Sequence, residues 1–173
     1  MINRRLLLTG TAGAAIFGAL GLQRLMGIAM FGQAKAATAT AEIVKTDEEW
    51  RKQLTAEQFD VLRKHGTEYP GTSPLNKEKR KGTFACAGCD LPLFSSETKY
   101  ESGTGWPSFW QPLPNAVGTQ VDRSLLMSRT EVHCRRCVGH LGHVFDDGPK
   151  PTGLRYCMNG VAMTFKPDGS SPS

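Results

Sequence analysis

Two Cys-x-x-Cys units, Cys86-Ala-Gly-Cys89 and Cys134-Arg-Arg-Cys137, constrain this chain more than any other feature. Each presents two thiolates from one tight turn, and two such turns complete the tetrahedral sulfur shell of a structural Zn2+. The 44 residues between Cys89 and Cys134 put the pairs on separate hairpins. A metal there ties distant parts of the chain together, because the entropy of closing a loop grows slowly with its length. In an exported chain the alternative is two disulfides, each closing a very small ring.

The rest of the sequence predicts short elements around these turns. Thr46-x-x-Glu49 and Thr55-x-x-Gln58 both match a capping box, so two short helices are expected near Trp50 and Phe59, the second stopped by Gly66. Pro70, Gly71 and Pro74 exclude regular structure between Tyr69 and Asn76. Past Lys81, β-prone pieces (Thr83–Cys86, Leu125–His133, Leu154–Asn159, Val161–Phe165) alternate with Gly, Pro and Asp clusters. A mainly β, antiparallel body over residues 46–165 follows, as one compact unit without internal repeats. Residues 37–45 read as a linker and residues 166–173, with nothing apolar to bury, as a loose tail.

The formal charge of +5 would suit a polyanion partner, but its position argues otherwise. Residues 1–36 hold Arg4, Arg5, Arg24 and Lys35 and no acid, leaving 17 basic against 16 acidic residues in the remainder. That remainder has no nucleic-acid signature. Arg4-Arg5 precedes a Gly-rich and Ala-rich apolar run, Leu6 to Leu22, and Ala34-Lys35-Ala36 fits a small-residue cleavage site. This is the layout of a twin-arginine export signal over residues 1–36, cleaved before Ala37, and it directs the domain to the periplasm. The run is shorter than the roughly 20 apolar residues of a span. An uncleaved anchor is the alternative, since Leu25 to Phe31 is apolar again. A twin-arginine route carries folded protein, so zinc can be bound before export, folding and metal loading being one event.

Cys157 belongs to neither pair. On a strand of period two, Arg155, Cys157 and Asn159 share a face, giving a thiol beside a cation and an amide. A nearby guanidinium favours the thiolate, the nucleophilic form, provided the cysteine is partly exposed. The competing reading is a small buried residue in a strand. His140-Leu-Gly-His143 follows the second cysteine pair on a loop or strand, and its imidazoles suit proton donation to Cys157 chemistry better than metal binding. His65, closing a helix, and His133, in an alternating strand, read as structural. Gly103-Thr-Gly-Trp-Pro-Ser-Phe-Trp110 packs large aromatics into a segment unsuited to a helix or central strand, and Phe109 and Trp110 suit a core plug under a loop.

Taken together, Gly103-Thr-Gly-Trp-Pro-Ser-Phe, the two Cys-x-x-Cys units, His140-Leu-Gly-His143-Val-Phe, Asp147-Gly-Pro and Arg155-Tyr-Cys-Met-Asn159 resemble the methionine-R-sulfoxide reductases, over Thr46 to about Phe165. The resemblance implies two antiparallel sheets, one structural Zn2+ on Cys86, Cys89, Cys134 and Cys137, and reduction of the R epimer of methionine sulfoxide in proteins. It places Cys157 on the catalytic cysteine, His140, His143 and Asn159 on active-site positions, and Trp106 against the substrate's S-methyl group. Arg155 is assigned to substrate binding beside them. Thr104 stands where many members carry a resolving cysteine, and Gly160 where a serine is common. A thioredoxin-like protein or small thiol is therefore expected to reduce the Cys157 sulfenic acid directly.

Two other readings remain open at this level. A zinc-ribbon binding module would use the knuckles as a surface and leave Cys157 in the core. A zinc enzyme would take His140 or His143 as a ligand with an open position for water.

Overall fold

The computed structural model describes residues 41–124 and 127–169; the export signal, the start of the linker and the last residues of the tail lie outside them. Both capping boxes form. Thr46 Oγ1 accepts from the Glu49 amide at 3.2 Å while the Glu49 carboxylate accepts from the Thr46 amide at 2.7 Å. Helix α1 (Asp47–Gln53) starts there, and the equivalent Thr55–Gln58 pair starts α2 (Ala56–Lys64). His65, at φ 58°, ends α2 one residue earlier than Gly66 would. The helices turn Trp50, Phe59, Val61 and Leu62 into the core, each less than 4 % exposed.

Among the described residues nine strands follow: β1 (Gly82–Cys86), β2 (Pro92–Ser95), β3 (Lys99–Tyr100), β4 (Ser108–Phe109), β5 (Val117–Asp122), β6 (Arg129–Cys134), β7 (His140–Phe145), β8 (Arg155–Met158) and β9 (Met163–Pro167). They form two sheets, β2-β1-β9 and β3-β4-β8-β7-β6-β5. Every pairing is antiparallel, as expected from the sequence. Phe84, Phe94 and Phe109 meet between the sheets: Phe94 stacks on Phe109 at 4.3 Å and Phe84 meets it edge-on at 4.9 Å. Burying each ring contributes about 2 to 3 kcal/mol.

Several sequence expectations need correction. The Trp106 segment contains a central strand after all, because Ser108 and Phe109 pair with β3 on one side and β8 on the other. Phe109 is the core plug; Trp110 is only partly buried. Val161 and Ala162 lie in a 3-10 turn (Gly160–Ala162) instead of a strand, since the Glu68 carboxylate accepts from the Gly160 and Val161 amides at 2.7 and 2.9 Å. The strand then runs on to Pro167, and Asp168 donates to the Lys81 carbonyl, so the start of the expected tail is paired. At the other end, the Glu42 and Ile43 amides donate to the Arg136 carbonyl and fasten the end of the linker to the second cysteine turn.

Candidate active site and metal centre

The two cysteine turns are built alike. Asp90 donates to the Cys86 carbonyl and Val138 to the Cys134 carbonyl, with Asp90 and Val138 at φ 60° and 55°. One turn leaves β1 and the other joins β6 to β7, so they belong to different sheets. Their four sulfurs converge: Cys86 and Cys137 lie 3.7 Å apart and Cys89 and Cys134 3.4 Å apart. All four Sγ atoms lie within 4.8 Å of one another. A tetrahedral zinc with Zn–S bonds of about 2.3 Å sets sulfurs about 3.8 Å apart, whereas a disulfide bond needs about 2.05 Å. The close contacts run between the two pairs, and all five cysteines are free thiols. The donor set fits zinc. The turns are held from outside as well, by Arg63 on the Cys137 carbonyl at 3.0 Å and Arg136 on the Cys89 carbonyl at 3.2 Å.

The second site grows out of ladder register. Cys157 on β8 lies opposite Ser108 on β4 and His143 on β7; His143 in turn faces Glu131 on β6, which faces Gln120 on β5. Directly opposed residues share a sheet face with Cβ atoms about 5 Å apart, so a polar row crosses five strands. His140 and His143 are three residues apart, a spacing that puts side chains on opposite faces of a regular strand. The register shift between Val132 and His133 brings His140 back to Glu131: its Nδ1 lies 2.7 Å from Glu131 Oε1. The two imidazoles then meet edge-to-face with centroids 5.4 Å apart.

Cys157, His143, Trp106, Asn159, Thr67, Arg129, Gly142 and Phe145 line a cleft of about 130 Å³. The Trp106 indole is fixed by its Nε1, which donates to the Glu68 carbonyl at 3.2 Å. Asn159 is a brace: its Oδ1 accepts from the Glu68 amide at 3.0 Å and its Nδ2 donates to the Leu141 carbonyl at 3.0 Å. It joins the Glu68 loop to β7 across the floor of the cleft. Thr104 Oγ1 sits 3.8 Å from Cys157 Sγ and 2.9 Å from Ser102 Oγ, which in turn bonds Ser108 Oγ at 2.7 Å.

Electrostatics at the thiol depart from the sequence reading in one respect. Arg155 lies beside Cys157 and favours its thiolate as expected, but burial dominates and pushes the thiol up. The Thr104 hydroxyl, the Arg155 charge and the Ser108 hydroxyl offset this only in part. Arg155 is itself held in a two-point pair with Asp147, both bonds 2.8 Å, and lies over the Phe145 ring. Burial pulls His143 down towards the neutral imidazole, opposed by its hydrogen bond to Asp122 at 2.8 Å and assisted by the Arg129 charge. The Asp122 carboxyl is held well below the carboxylate range by Ser124, His143 and Arg129.

The comparisons settle the family. A SelR domain matches residues 54–167. The peptide methionine sulfoxide reductase MsrB of Leptospira interrogans is 56 % identical over 126 residues, covering 72 % of this chain and 96 % of the relative. The proteins of the same name from Agrobacterium fabrum and Pseudomonas putida are 54 % and 56 % identical, covering 94 % and 98 % of their lengths and 73 % and 75 % of this one. The chain belongs to the MsrB family.

Within this MsrB domain the sequence-predicted residues fall into two places. Cys86, Cys89, Cys134 and Cys137 gather into one four-sulfur cluster, while Cys157, His143, Trp106 and Asn159 line the cleft. His140 stands one layer behind, on Glu131, while Arg155 sits beside Cys157 and is paired with Asp147. His65, read as structural, also reaches Glu131, at 3.2 Å. Sequence reading missed Glu68, Asp122 and Glu131. Each acts through a partner 21 or more residues away in the chain or through strand register, and no local spacing signals that, although an acid facing His143 follows once β6 and β7 are put in register.

Proposed function

We propose that this chain is a periplasmic peptide-methionine (R)-S-oxide reductase, exported by its twin-arginine signal, in which Cys157 does the chemistry and zinc holds the two sheets together. The observation that carries the reading is Cys157 facing His143 across the β7–β8 ladder inside a cleft walled by Trp106. Trp106 offers an apolar face to the sulfoxide's S-methyl group, which orients the sulfur towards Cys157 and favours the R epimer.

His143, held neutral by burial, takes the proton of the Cys157 thiol. The thiolate attacks the sulfoxide and takes its oxygen as His143 returns the proton to that atom. Methionine leaves, and Cys157 becomes a sulfenic acid. Sulfur of the substrate is reduced and sulfur of Cys157 is oxidised, with one oxygen transferred. Because Thr104 sets a hydroxyl and not a second thiol 3.8 Å from Cys157 Sγ and the other four cysteines are gathered in the metal centre, an external thiol attacks the sulfenic sulfur and releases water. A second thiol then cleaves the mixed disulfide and restores Cys157. The donor is a thioredoxin-like protein or a small thiol. Cys86, Cys89, Cys134 and Cys137 would hold the zinc, which supplies cross-linking and no step of the reaction.

Purified residues 37–173, given a dithiol, should reduce the R but not the S sulfoxide of a blocked methionine, and Cys157→Ser should abolish this. Turnover by Cys157→Ser, or equal rates with both epimers, would remove the assigned roles.

A further inference from the structure

A methionine sulfoxide within a protein brings its flanking chain with it, and the cleft of about 130 Å³ takes only the oxidised side chain. On the far side of Thr67 lies a much larger groove of about 870 Å³, formed by α2, the loop after it and the Gly160–Met163 turn. Thr67 lines both, so the two spaces are neighbours across a single residue. The larger groove has the volume of a site for a ligand of several residues.

Main-chain pairing at this ridge is incomplete. Glu68 turns both its main-chain groups inward, the amide to Asn159 and the carbonyl to Trp106. Its neighbours do not: among the described residues the Thr67 amide and carbonyl and the Tyr69 amide have no hydrogen-bond partner. Thr67 is exposed, and Tyr69 is 83 % exposed. Free main-chain donors and acceptors beside a groove are what an added strand uses, with affinity from the backbone and little dependence on sequence.

The groove also has a sign. Glu57, Asp60 and Glu68 line it, and no Lys or Arg does. Glu68 is engaged by the Gly160 and Val161 amides, which leaves Glu57 and Asp60, neither of them in an ion pair among the described residues. We infer that this groove seats the polypeptide flanking the oxidised methionine, its backbone pairing with Thr67 and a basic side chain favoured near Glu57 and Asp60. The inference rests on the reductase reading.

The test compares, on the intact protein, a blocked single methionine sulfoxide with peptides of about five residues that hold it centrally. Unmodified peptides should show a lower KM than the blocked amino acid at similar kcat. N-methylation at one of the two residues flanking the sulfoxide should raise KM about three- to tenfold, the effect of one lost hydrogen bond. A Lys flank should exceed a Glu flank about two- to fivefold in kcat/KM, and Glu57→Gln with Asp60→Asn should bring that ratio towards one. Turnover of the blocked amino acid without any peptide advantage, N-methyl effect or charge preference would overturn the groove while leaving the reductase intact. No turnover of either substrate would overturn the reductase reading and the groove with it.

Discussion

Glu131 is the residue through which the histidine pair is most open to test. Its side chain is almost completely buried, yet charged, with His140 Nδ1 at 2.7 Å, His65 Nδ1 at 3.2 Å and Gln120 Nε2 donating from the neighbouring strand. Burial alone would raise its pKa, but hydrogen bonds from His140 and Gln120 prevail and lower it from 4.5 to about 2. A displacement of that size corresponds to about 3 kcal/mol in favour of the folded state. The sign follows: a carboxylate depressed by folding contributes fully above pH 4.5, and the contribution is lost as pH falls towards 2. Replacing Glu131 with Gln keeps the shape, removes the charge and turns an amide NH2 towards donors. The variant should lose about 2 to 3 kcal/mol, or about 10 °C in Tm for a domain of this size. Urea unfolding of both proteins should give a gap at pH 7 that narrows below pH 4.5. A variant within about 0.5 kcal/mol of the parent at pH 7, or a gap that widens on acidification, would exclude the Glu131 carboxylate as a stabilising charge.

Other consequences follow from single contacts. Asp122→Asn should lower kcat/KM about tenfold and move the His143 limb of its pH profile to lower pH, because the carboxylate is what holds the imidazole's pKa up against burial; steady-state rates across pH 5 to 9 check this. Thr104→Cys, placing sulfur where an oxygen now sits 3.8 Å from Cys157 Sγ, should let one equivalent of substrate yield an internal disulfide, seen as the loss of two titratable thiols. Gly118→Ala would set a methyl group 2.4 Å from Nε2 of the buried His133 and should cost about 1 to 3 kcal/mol by thermal unfolding. Cys89→Ser should reduce bound zinc and broaden the unfolding transition, measured by metal analysis and circular dichroism.

Much of this architecture was open to a reader of the sequence because its signals are local. A capping box lies within four residues, a cysteine turn within four, and a β-prone run within nine, so α1, α2, β1, β8 and the four clustered cysteines could be placed. The misplaced elements depend on distant partners. Val161 fails to be a strand because Glu68, remote in sequence, captures its amide. Ser108–Phe109 becomes a central strand because β3 and β8 arrive on either side of it. The candidate site divides in the same way. Cys157, His143 and Trp106 stand in motifs, whereas Asp122 and Glu131 reach the histidines only after β5, β6 and β7 are in register. The strand pattern shows the arginine that favours the Cys157 thiolate, but not the depth of burial that outweighs it.

In the proposed cycle Cys157 reduces the sulfoxide alone and then waits for an outside thiol. The most direct test is a single turnover without reductant, read by intact mass and by a sulfenic-acid trap. The prediction is one methionine released per chain and a protein about 16 Da heavier, with the trap on Cys157 and nowhere else. Methionine release accompanied by a disulfide between Cys157 and any of Cys86, Cys89, Cys134 or Cys137, or by modification of one of those four instead, would contradict it.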